Sequence, residues 1–134
     1  MATSAAPKFP DWFPPRCPPD SASDATGIVF RFIQSSFIDP ADFLSHHELG
    51  LAPRAQPCRR CSLSVYRTLD FAREKLSELR ARFPGRFGSH IAQGRLLPEH
   101  GKLKQKGIDL DHHEWWAYDG VERHEPFQMI ELLH

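Results

Sequence analysis

The chain has 134 residues, 40% of them hydrophobic and 25% charged, with seventeen Lys/Arg against seventeen Asp/Glu. That length is one domain's worth and can bury a core without metal or disulfide support. The neutral balance falls short of the basic excess of a dedicated nucleic-acid binder, and no apolar run approaches the roughly 18 residues of a membrane-spanning helix.

The charges are segregated along the chain. Residues 54–106 carry thirteen Lys/Arg against four Asp/Glu, residues 1–53 three against six, and residues 107–134 one against seven. The acidic ends can neutralise the basic middle, or the basic middle can present a face to an acidic partner.

The first fifteen residues, MATSAAPKFPDWFPP, lack the apolar core of a secretory signal, which argues for a cytoplasmic protein. Residues 7–19, PKFPDWFPPRCPP, contain six prolines. Proline fixes φ and removes a donor, so this stretch is an extended arm. Phe9, Trp12 and Phe13 are interleaved with the prolines and predict that the arm lies in a groove, on its own domain or on another protein. The expected division is an arm over 1–26 and a globular domain over 27–134.

Residues 28–33, IVFRFI, read as a buried strand. DPADFLSHHELG then carries helix punctuation, with Asp39 as N-cap, Pro40 at the first helical position and Gly50 past the end. Residues 51–60 read as a loop and residues 62–67 as a strand. Thr68 caps a helix whose Leu69, Ala72, Leu76, Leu79 and Phe83 form an apolar stripe, stopped by Pro84-Gly85. Residues 89–97 read as a strand, with Gly94 as the mark of a bulge. PEHGKLKQKG reads as a polar connection. HEWWAY and PFQMIELL are the last two strands, joined through Asp119-Gly120. The expected fold is therefore a small single α+β domain with a mixed or antiparallel sheet of about five strands and two main helices, preceded by the proline–aromatic arm.

Cys58 and Cys61 form a C-x-x-C, half of a zinc site that His46 or His112 would help complete, with Cys17, His47 and His113 as further candidates. The favoured expectation is no metal. Three cysteines, an odd number, do not suggest a disulfide framework, and a reducing cytosol follows from that. Tyr66 and Phe87 could stack on bases, which gives a zinc-stabilised nucleic-acid-binding accessory as one alternative.

In the stretch DLDHHEWWAYDG, strand alternation sends Trp115 and Trp116 to opposite faces. One enters the core, and the other needs a cover that the arm can supply. The leading expectation is a protein-interaction module, a subunit or accessory of a larger complex. Phe9, Trp12, Phe13, Trp115, Trp116 and Tyr118 would meet a protein partner with an acidic surface, and the basic middle would steer it. Nucleic acid is a possible but not a favoured partner, and no membrane partner is expected.

No G-x-S-x-G, P-loop, dinucleotide glycine pattern or H-E-x-x-H occurs. The order of elements, from the Arg-bearing VFRFI through DFLSHHELGL and LSVYR to the late EPFQMIEL, resembles small ADP-ribosyltransferase-type domains. The resemblance implies an NAD-using enzyme in which Arg31 or His47 holds NAD, Tyr66 stacks on nicotinamide, and Glu125 or Glu131 is the catalytic acid. NAD and zinc enter only with these alternatives; no cofactor is favoured.

Overall fold

A computed structural model describes residues 6–132, with side chains described through residue 130. Seven strands form one sheet: β1 (Ser23–Asp24), β2 (Gly27–Ile33), β3 (Leu63–Tyr66), β4 (His90–Leu96), β5 (Gly101–Gln105), β6 (His112–Ala117) and β7 (Phe127–Leu132). Their order is β1-β5-β6-β3-β2-β4-β7, and every described pairing is antiparallel. Three α-helices accompany the sheet: α1 (His46–Leu49), α2 (Pro57–Arg60) and α3 (Leu69–Arg82). The domain is α+β as expected, with seven strands rather than about five and three helices rather than two. Among the described residues no helix is long and apolar enough to cross a membrane.

The two additional strands are the ones whose sequence hides them. β5 lies inside the stretch expected as a polar connection, because only Leu103 of GKLKQ is a buried apolar side chain. Its lysines face outward and tie down the edge of the sheet. Lys102 Nζ lies 2.7 Å from Asp24 Oδ1, and Lys104 Nζ donates to Ser21 Oγ at 2.6 Å. β6 and β7 are not partners, because β3, β2 and β4 lie between them.

The single helix expected over residues 39–50 is broken in two. Asp39 caps a 3-10 turn over Pro40–Phe43, and Leu44 is extended (φ −99°, ψ 139°). Ser45 then starts α1 with a reciprocal capping box. The Glu48 N–H donates to Ser45 Oγ at 3.3 Å, and the Ser45 N–H donates to Glu48 Oε1 at 2.9 Å. Gly50 closes α1 at φ 69°, a left-handed position that favours glycine. The break turns Phe43 into the core, where its ring lies 4.9 Å from that of Phe127. Residues 51–60, expected as loop throughout, contain α2, with Pro57 at its first position and Gln56 as cap.

One face of the sheet buries Val29, Ile33, Val65, Trp115 and Phe127, together with Phe43. On the other face α3 lays Ala72 and Leu76 over Phe30, Tyr66 and Ile91. Each such large apolar side chain contributes on the order of 2–3 kcal/mol by leaving water. Thr68 caps α3 and is itself held by Asp111, whose Oδ1 accepts from the Thr68 N–H (2.9 Å) and hydroxyl (3.0 Å). Gly94 marks no bulge; the register shift falls between Ile91 and Ala92. A Cβ at Gly94 would lie 2.7 Å from the Phe127 ring, so glycine is there for close packing.

The arm covers the part of the α3 face around Trp116. Phe9 and Phe13, whose ring centroids are 5.4 Å apart, pack with Cys17 over Trp116, and Phe9 meets Tyr118 at 4.7 Å. The Asp119 N–H donates to the Lys8 carbonyl at 2.8 Å, fixing the arm's position. A disulfide joins Cys17 to Cys58. This corrects the expectation of a chain without disulfides: docking of the arm brings together two cysteines 41 positions apart.

Candidate functional site

β2 and β3 pair only through Phe30 and Tyr66, and beyond that couple the two strands diverge. The Arg31 side chain bridges the gap, donating from Nη1 to the Ser64 carbonyl (2.7 Å) and from Nε to the Asp42 carbonyl (3.0 Å). Above this split, between α3 and the segment carrying α1 and α2, the sheet is uncovered. The result is a cleft of about 620 Å3, within the range of ligand sites.

Two alternate cross-strand couples, Ser64–Glu114 and Tyr66–His112, contribute four polar side chains to the lining. All four residues project to the same side because alternate positions on neighbouring strands share a face. Ser64 Oγ and His112 Nε2 share a hydrogen bond of 3.0 Å, and the His112 ring lies 4.7 Å from that of Tyr66. Leu44, Leu49, Leu51, Leu79 and Phe87 supply apolar surface.

Six cations line the cleft: Arg31, Arg59, Arg60, Lys75, Arg86 and Lys106. Five come from the basic middle of the chain, which the fold gathers from α2, α3, the turn after α3 and the end of β5. Two lining residues are carboxylic, Asp42 and Glu114. Glu114 is buried and accepts from Arg59 Nε at 3.0 Å. Asp42 accepts the Gln34 N–H at 3.2 Å, and its charge bears on Arg31. The lining thus has a clear positive excess.

Burial is the largest cause of each shift in the lining, and the cations add to it at the two histidines. Burial, then Lys106, pulls the His112 imidazole down to about 4, with Lys75 and His113 acting in the same sense and Asp109 opposing them. Burial, followed by Arg31, Arg60 and Lys106, lowers His46 on the other wall. Burial brings Arg31 down to about 10, so it remains charged at neutral pH. Burial raises the Tyr66 phenol to about 12, which keeps it protonated.

Several residues singled out in the sequence lie elsewhere. Trp115 and Trp116 are 0% and 1% exposed and so are interior to their own chain. Phe9, Phe13 and Tyr118 are half-buried where the arm meets the sheet. Trp12 is 36% exposed and stacks on His47, with ring centroids 4.8 Å apart. His47 is outside the cleft lining, whereas Arg31 and Tyr66 are part of it. Glu125 is exposed on the β6–β7 connection, and the Glu131 side chain lies outside the described residues.

The candidate zinc ligands do not assemble. Cys58 is in the disulfide and offers no thiolate, and Cys61 Sγ is 3.4 Å from the Pro57 carbonyl. His46 and His112 line the cleft without a cysteine beside them there. Among the described residues no group of three or more His, Cys, Asp or Glu is placed to hold a metal ion.

Sequence reasoning did not single out Ser64, Arg60, Lys75 or Lys106. The excess of cations over residues 54–106 was the available signal; a serine inside a strand carries none. Comparison of the chain with protein-family models, with curated proteins and with solved structures gives no match.

Proposed function

We propose that the chain is a non-enzymatic binding module that takes an acidic segment of a protein partner into the basic cleft. The observation that supports this reading is the gathering of Arg59, Arg60, Lys75, Arg86 and Lys106 around one cleft from separate elements. Cations collected in a concave, partly apolar site focus the field and raise the rate of encounter with an anionic partner. The apolar lining gives an extended segment surface to bury, and the charges set its orientation.

In this reading the arm has an internal role. Phe9, Phe13 and Cys17 hold α2 against the sheet, and α2 carries Arg59 and Arg60 into the cleft wall. Trp12, half-exposed beside His47, is the aromatic of the arm left for an outside contact. The Cys17–Cys58 disulfide favours an oxidising compartment over the reducing cytosol first expected.

The test is a fluorescence-anisotropy titration with a labelled glutamate-rich peptide at low salt. We expect saturable binding that weakens as salt rises, and a loss of about tenfold or more in affinity for the pair Arg60→Glu and Lys106→Glu. A lysine-rich peptide serves as control. Equal binding of the two peptides, or no binding of the acidic one, rejects the reading.

A further inference from the structure

We infer that the floor of the cleft is a phosphoryl subsite, in which Ser64, His112 and Lys106 receive a phosphomonoester carried by the partner's acidic segment. This rests on the binding-module reading and adds the chemistry of the group that enters deepest.

Three donors are brought together by backbone geometry. Ser64 on β3 and His112 on β6 are diagonal neighbours on one face, already 3.0 Å apart through Oγ and Nε2. Lys106 follows β5, and its amide donates to the His112 carbonyl at 2.9 Å, which sets its side chain beside the same floor. A hydroxyl, an imidazole and an ammonium from three strand segments suit the tetrahedral array of three acceptor oxygens on a phosphoryl group. A planar carboxylate offers two.

Charge points the same way. The lining carboxylates face Arg59 and Arg31; Arg60 Nε donates to the Leu51 carbonyl at 3.0 Å, Lys75 interacts with Asp109 beside the cleft, and Arg86 and Lys106 add further positive charge to the lining. A phosphomonoester carries about −1.5 to −2 at pH 7, a closer match than the single charge of a glutamate. The groups facing His112 are Lys106, Lys75, Asp109 and His113, with Tyr66 and Ser64 in contact. Burial first and Lys106 second keep this imidazole neutral, and Lys106 is also the cation placed to meet an anion. As a neutral group it contributes a hydrogen bond without the cost of a buried imidazolium.

The experiment compares two acidic peptides that differ only at a central residue, glutamate in one and phosphoserine in the other. Both are titrated calorimetrically into the full chain, alongside inorganic phosphate alone. The variants Ser64→Ala and Lys106→Gln are titrated in parallel, with their melting curves recorded to show that they fold. We expect the phosphopeptide to bind at least about tenfold more tightly than the glutamate peptide. In either variant that increment should shrink, while binding of the glutamate peptide falls much less. If both peptides bind equally, the subsite is overturned and the binding-module reading stands. An increment that survives both substitutions also overturns the subsite, because the phosphoryl group then sits elsewhere. Inorganic phosphate binding as tightly as the phosphopeptide overturns the peptide-borne form. If neither peptide binds, the module reading fails and the inference with it.

Discussion

Trp115 and Trp116 are neighbours in the chain whose indoles serve opposite faces of one sheet. Trp115 Nε1 donates to the His100 carbonyl at 3.0 Å, and Trp116 Nε1 donates to the Cys58 carbonyl at 2.9 Å. Each ring is buried and each polar atom is satisfied, as buried indoles require. Trp116 depends on two chain segments for this, since the arm covers its ring and α2 accepts its N–H.

The double substitution Phe9→Ala and Phe13→Ala should therefore destabilise the domain by about 2–4 kcal/mol, as loss of buried aromatic contacts does. Trp12→Ala, at a 36% exposed position, should cost less than about 1 kcal/mol. Denaturant unfolding followed by tryptophan fluorescence measures both. Equal costs for the two changes would mean that the arm does not cover Trp116 in solution.

Unfolded protein that has not been reduced should present one reactive thiol, Cys61, and reduced protein three. Counting alkylated cysteines by mass spectrometry settles this directly. Reduction, or Cys17→Ser with Cys58→Ser, should lower stability by roughly 2–4 kcal/mol, because the cross-link restricts the unfolded chain over a 41-residue separation. Three reactive thiols without reductant would place the arm differently.

Much of the fold was legible because local patterns and tertiary demands agree. The Thr68 cap of α3 and its buried Ala72 and Leu76 needed no outside information, although Phe83, expected in the same stripe, is the exposed C-cap; residues 28–33 read as the strand they form. The helix expected from Asp39 to Gly50 failed because two start signals lie within it, and burial of Phe43 favours using both. β5 escaped because a strand rich in lysine looks like a loop. The cleft was half legible. Its charge was visible as a block of cations, but its shape depends on where β2 and β3 part, which no local pattern encodes. The disulfide was hidden for the same reason, since only docking of the arm brings Cys17 to Cys58.

His112 should make the domain acid-sensitive. Its folded pKa of about 4 lies below the ordinary 6.5, so the unfolded chain takes up a proton before the folded one does. The stabilising contribution is complete above about 6.5 and is lost as pH falls from there to about 4. His46 and His113, also lowered, act in the same sense. Melting temperatures of wild type and His112→Gln between pH 7 and pH 4 check this. The variant should lose less stability over that interval, and parallel curves would remove His112 from the account.

Gly94→Val should cost at least about 2 kcal/mol, since even a Cβ there meets the Phe127 ring at 2.7 Å. Combining it with Phe127→Leu should recover part of the loss if that ring is the obstacle. Urea unfolding of the two single variants and the double variant measures the coupling. Strict additivity would contradict the packing described for β4 and β7.

The central claim is that the cleft, and not the arm or a sheet edge, is the binding surface. Its most direct measurement is a map of backbone amide shifts as an acidic peptide is added to isotopically labelled protein at low salt. The account predicts changes concentrated at Arg59, Arg60, Ser64, Tyr66, Lys106 and His112. Changes confined to the arm or to β7, or none at saturating peptide, would contradict it.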